Sequence, residues 1–84
     1  MDRTLIESTI RKELDEAEHW AALGRGHIAH QREVIDTLER DSHDTTQARE
    51  LLKTLLETQE LHEASVERLT KELETWKKAD GKGG

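Results

Sequence analysis

The chain has 84 residues with 13 Lys and Arg against 19 Asp and Glu, a formal charge of −6, and 38% of its positions are charged while 32% are hydrophobic. Seven of the hydrophobic residues are Ala, the two Trp are the only aromatics, and Pro, Phe, Tyr and Cys do not occur, so a thick globular core is excluded. So are a disulfide framework, a thiolate nucleophile and a cysteine-based zinc site.

Met1-Asp2-Arg3-Thr4 lacks the basic and then apolar regions of a signal peptide, and no apolar run is long enough for a bilayer. A cytoplasmic chain with no membrane partner is expected. Residues 1–40 hold 6 basic and 9 acidic side chains and residues 41–84 hold 7 and 10, so neither half offers the positive footprint that nucleic acid requires.

Abundant Ala, Leu, Glu, Lys, Arg and Gln without a single proline predicts helix nearly throughout. The first helix is expected over 3–41, capped by Asp2 or by a Thr4/Glu7 capping box. Asp41-Ser42-His43-Asp44-Thr45-Thr46 is a run of residues whose short polar side chains compete for backbone hydrogen bonds, which puts a turn at 42–44. Asp44 with Gln47 reads as the cap of a second helix over 45–79. Gly81 is then placed to take a left-handed cap, and residues 81–84 form a flexible tail.

A strict four-then-three spacing runs through Ile10, Leu14, Ala17, Ala21, Gly24, Ile28, Gln31, Ile35 and Leu38. It recurs as Ala48, Leu52, Leu55, Gln59, His62, Val66, Leu69, Leu73 and Trp76. These are two heptad seams, and folding the chain back near His43 sets small residues against large ones, Gly24 against His62 among them. The fold class is therefore all-α: an antiparallel helical hairpin, coiled-coil-like, with arms of about 35 residues and roughly 50 Å long. Gly24 and Gly26 cost helix propensity, but the heptad phase crosses them without a slip, so one continuous first helix is expected. Gln31, Gln59 and His62, polar residues in the seam, are expected to fix the register.

The two sides of the hairpin differ. One flank carries Glu18, Arg25, Arg32, Glu39, Arg49 and Glu63, with Arg25 placed to meet Glu63. The other carries Trp20, Leu23, His27, His30, Val34 and Thr37, then Gln47, Leu51, Thr54, Thr58, Leu61 and Ser65, and none of the twelve is charged. With so charged a chain, chance gives that only roughly a few times in a thousand. An uncharged stripe on a slender hairpin calls for a cover, and Trp20, Leu23, His27, His30, Val34, Leu51, Thr54, Thr58 and Leu61 are the expected interface of a homodimer, or of a complex with another helical protein. Two hairpins would then make a four-helix bundle.

The same residues bear on sharper chemistry. His27, His30 and His62, with Glu60 or Glu63, could supply metal ligands once two chains meet, although no His-Glu-x-x-His or repeated Glu-x-x-His motif occurs. His30-Gln31-Arg32-Glu33 has a loose similarity to the site of histidine phosphotransfer bundles, on a chain without an ATP-binding segment. Ser8, Ser42 and Ser65 have no triad partners at defensible positions. No enzyme activity and no cofactor is expected.

Gln31-Arg32-Glu33-x-Ile35-x-x-Leu38-Glu39-Arg40-Asp41-Ser42-His43-Asp44-Thr45, followed by Ala48, Leu51-Leu52, Gln59 and His62, resembles a pattern recurring in short, functionally uncharacterised bacterial helical proteins. Glycine commonly stands there at the position of Ser42. The resemblance covers about residues 27–73 and implies a bacterial origin and a turn of recurring type; it implies no activity, cofactor or catalytic residue. Ser42 in place of glycine argues against a left-handed backbone at that residue.

Overall fold

The computed structural model describes the backbone of residues 3–82 and the side chains of residues 3–79. Two helices, α1 (Arg3–Arg40) and α2 (Thr46–Lys82), fold back on each other as an antiparallel hairpin 65 Å long and about 16 Å across. α1 stops one residue short of the expected 41, while α2 starts one residue after 45 and runs three residues past 79, and the rod exceeds the expected length of roughly 50 Å. The Asp2 cap, Gly83 and Gly84 lie outside the described residues. Gly81 is no left-handed cap: α2 runs through it to Lys82, and no described glycine has a positive φ. With no proline to stop it, each further residue there still gains a backbone hydrogen bond.

α1 is unbroken across Gly24-Arg25-Gly26. Each of the eighteen seam residues is buried or half-buried, so the heptad phase alone places the helix–helix contact. That contact is thin. Ala21, Ile35, Leu69 and Leu73 are the apolar residues buried in it, joined by Gln31 and Gln59, and among the described residues no large side chain is completely buried.

The two glutamines hold the register through reciprocal bonds. Gln31 on α1 donates its Nε2 to the carbonyl of Ala48 on α2, at 2.9 Å. Gln59 on α2 donates its Nε2 to the carbonyl of Ala21 on α1, at 2.8 Å. Each acceptor is a helix carbonyl, Ala48 or Ala21, that takes the glutamine amide on its second lone pair. An amide that finds its carbonyl in one alignment only opposes sliding of the helices.

The turn at 41–45 closes α1 with a Schellman motif: the amide of Ser42 donates to the carbonyl of Glu39 (3.1 Å) and that of His43 to Leu38 (2.8 Å). This geometry needs a left-handed residue, and Ser42 supplies it with φ at 59°, against the expectation drawn from its identity. Satisfying two terminal carbonyls outweighs the strain. Ser42→Gly is expected to relieve about 1 kcal/mol of it and to raise the thermal midpoint by about 4–8 °C. An unchanged midpoint in a dichroism melt would refute that account of the turn.

Asp44 then opens α2. Its Oδ1 accepts from the hydroxyl of Thr46 at 2.7 Å and from the Thr46 amide at 3.0 Å. Gln47, expected as the second arm of a capping box, makes no side-chain hydrogen bond among the described residues; Thr46 is the residue that bonds the Asp44 carboxylate. The Thr46 hydroxyl first, and its amide second, hold the Asp44 carboxyl below the usual aspartate range. The stability this contributes is complete above the unfolded aspartate value and is lost as pH falls through the lowered folded value.

Candidate interaction face

The flank of charged residues is organised as expected. Arg25 Nη1 reaches Glu63 Oε1 at 2.6 Å, and Arg49 pairs with Glu39 nearer the turn. All four side chains are about half exposed, so each pair contributes at most about 1 kcal/mol. Glu63 Oε1 also accepts from Gln59 Nε2 at 2.8 Å. One amide therefore ties the buried seam to the Arg25–Glu63 clip.

Gln59 also explains the glycine in the seam. A Cβ on Gly24 would lie 1.8 Å from Gln59 Oε1 and 2.9 Å from its Cδ. The space opposite Gly24 thus belongs to Gln59, where the heptad alignment puts His62. The amide reaches almost a turn further toward the open end of the hairpin because the Ala21 carbonyl is there. Gly26, by contrast, has nothing within 4 Å of its Cβ position.

On the other side the twelve uncharged residues form one continuous face. Leu61 is 70% exposed, Trp20 55%, Leu51 50% and Leu23 41%. His27, His30, Thr37, Gln47, Thr54 and Thr58 are exposed beside them, while Val34 and Ser65 are half-buried. The His19 ring meets the Trp20 indole edge-on, with centroids 5.5 Å apart. A shallow groove at mid-face is lined by Trp20, Leu23, His27, Leu55, Thr58 and His62. Thr54 turns its hydroxyl back to the carbonyl of Glu50 at 3.4 Å, so the group need not be orphaned when covered.

The histidines do not converge. Among the described residues no three His, Asp or Glu side chains gather where one hairpin could hold a metal ion, and Glu63 is taken up by Arg25 and Gln59. His27, His30 and His62 make no side-chain hydrogen bonds among the described residues, so no base or carboxylate orients the His30 imidazole for phosphoryl chemistry.

Three exposed apolar features lie outside the heptad reading, the first being Leu5 near the start of α1, 60% exposed. Leu56, 38% exposed, stands on the charged flank. At the open end Ile6, Ile10, Thr75, Trp76 and Ala79 line an apolar groove, and Arg3 lies over the Trp76 ring at 5.3 Å. Ile6 is the sequence signal for that groove, since it stands two heptads before Trp20 and one residue off the seam position that Glu7 would fill.

Fold and face together define a helical hairpin with one charged and one charge-free side. No described helix is long and apolar enough to cross a membrane. Comparison with protein-family models, curated proteins and solved structures finds no match.

Proposed function

We propose that this chain is a non-enzymatic protein–protein interaction module, a small bacterial adaptor, regulator or scaffold element that works in the cytoplasm as a homodimer, its uncharged faces joined into a four-helix bundle. One observation carries the reading: Trp20, Leu23, Leu51 and Leu61 stand 41–70% exposed on one face without a charge, on a hairpin that among its described residues buries four apolar side chains of its own. A contiguous apolar patch of this kind marks an interaction site, and the missing burial is what a second chain supplies. The absence of an assembled metal, nucleophile or acid–base group on the face is compatible with this reading and is not what supports it.

Sedimentation equilibrium tests it. Leu51→Glu, Leu61→Glu and Val34→Glu are each expected to weaken self-association by about 100-fold or more, because each puts a desolvated carboxylate into the interface. Gln47→Lys, at the end of the face nearest the turn, should change it by less than about 3-fold, as rim charges do. Unchanged association in the three glutamate variants would overturn the assignment of this face.

A further inference from the structure

Two histidines from different helices share one place on the uncharged side. His27 of α1, exposed, and His62 of α2, half-buried, both line the groove at mid-face. The rest of the lining, Trp20, Leu23, Leu55 and Thr58 included, contains no ionisable group. Neither imidazole makes a side-chain hydrogen bond among the described residues. Glu63, next to His62 in the chain, turns to the opposite flank, where Arg25 and Gln59 hold it. Within the groove each ring therefore has one ionisable neighbour, the other ring, and no carboxylate to keep a proton on it. His30 differs: Glu33, three residues on along α1, is placed to pair with its protonated form.

We infer that self-association through this face is proton-linked: the dimer forms with His27 and His62 neutral, and acidification through the imidazole range drives the two chains apart. The inference rests on the homodimer proposed above and adds its regulation. In the free chain the groove is open, and water solvates a protonated ring. A second copy laid on the groove removes that water and brings no carboxylate in exchange, because none of the twelve residues of its own face is charged. That holds whichever way the second copy runs. Burial without a counter-charge disfavours the charged ring, and protonating both rings would also set two like charges in one groove. The dimer therefore binds fewer protons than two free chains. Its stability is fully present above the ordinary imidazole value, about 6.5, and is lost progressively as pH falls below it.

The charge of the whole chain predicts the opposite sign. Protonating all five histidines takes each copy from −6 to −1, which eases the repulsion between two copies. Weaker association in acid therefore reports on the groove and not on net charge. The size follows from the number of rings. An imidazole with a pKa of about 6.5 that must stay neutral in the dimer weakens association by about 10-fold between about pH 7.5 and about pH 5.5. One such ring from each chain gives about 100-fold, and both rings from each chain give about 10,000-fold.

Sedimentation equilibrium of the full-length chain at these two pH values, in equal salt, tests the linkage. The dissociation constant of the wild type is expected to rise by about 100-fold or more on acidification. That of His27→Gln combined with His62→Gln, whose amides take up no proton, should change by less than about 3-fold. A wild-type dimer equally tight or tighter in acid overturns the proton linkage and leaves the homodimer standing. An acid effect of undiminished size in the double variant overturns the assignment to these two rings. A chain monomeric at both pH values and every concentration overturns linkage and homodimer together. Dilution calorimetry of the wild type at about pH 6, in two buffers of different ionisation heat, counts the protons without any substitution. About 1.5–3 protons taken up as each dimer dissociates is the expected result, and none taken up overturns the proposal.

Discussion

Gly24→Ala is expected to lower the melting temperature and Gly26→Ala to raise it, although both remove a glycine from the interior of the same helix. Alanine is better than glycine in a helix by about 0.8–1 kcal/mol. At Gly26 nothing lies within 4 Å of the new methyl, so the whole gain is realised and the midpoint rises by about 4–8 °C. At Gly24 the methyl takes the place of the Gln59 amide, which must swing away and give up its bonds to Ala21 and Glu63. Two lost bonds cost about 1 kcal/mol each, and an orphaned buried carbonyl or amide adds about 1–3 kcal/mol, so the variant loses about 2–4 kcal/mol net after its propensity gain. Thermal melts of four chains decide it: wild type, each alanine variant, and Gly24→Ala combined with Gln59→Ala. In the combined background the methyl has nothing to displace, and the sign of the Gly24→Ala effect should reverse. Equal stabilisation by both single substitutions would refute the role given to Gln59.

How much of this was legible in the sequence follows from which physical variable sets each feature. The seam depends on side-chain period alone, so Leu14, Ile35, Leu69 and Leu73 could be placed without coordinates, and so could Arg25 opposite Glu63 on the flank beside it. The reach of Gln59 depends instead on where a backbone carbonyl accepts a second bond. Ala21 provides one, and the heptad count, which treats each layer as flat, sets Gln59 against Ile28 and leaves Gly24 to His62. Ser42 failed for a related reason: its identity reports the strain of a left-handed backbone, while the decision lies with the Glu39 and Leu38 carbonyls that the turn must satisfy. The uncharged face was fully visible as a list of residues. Its exposure is a property of a single hairpin.

Gln59→Glu exchanges one amide nitrogen for oxygen, yet it is expected to cost about 3 kcal/mol at neutral pH. The wild-type Nε2 donates to the Ala21 carbonyl and to Glu63 Oε1, both at 2.8 Å, in a side chain only 9% exposed. A carboxylate there has no proton for either acceptor and faces a second carboxylate, whose Oε1 Arg25 already engages. Burial and Glu63 both favour the neutral form, so folding raises the pKa of the introduced carboxyl. The deficit is therefore complete above that raised folded value. It shrinks as pH falls and reaches its minimum below the ordinary glutamate value, where the protonated group can again donate one bond. Because the Asp44 cap weakens over the acid range in every variant, the quantity to compare is the difference from wild type at each pH. Urea unfolding at fixed protein concentration, at about pH 7.5 and about pH 4, gives that difference. A loss equal at the two pH values would mean that the amide protons of Gln59 do not hold the hairpin in register. Gln31→Glu provides the internal scale: its amide meets one acceptor, the Ala48 carbonyl, and its pH-dependent loss should be about half as large.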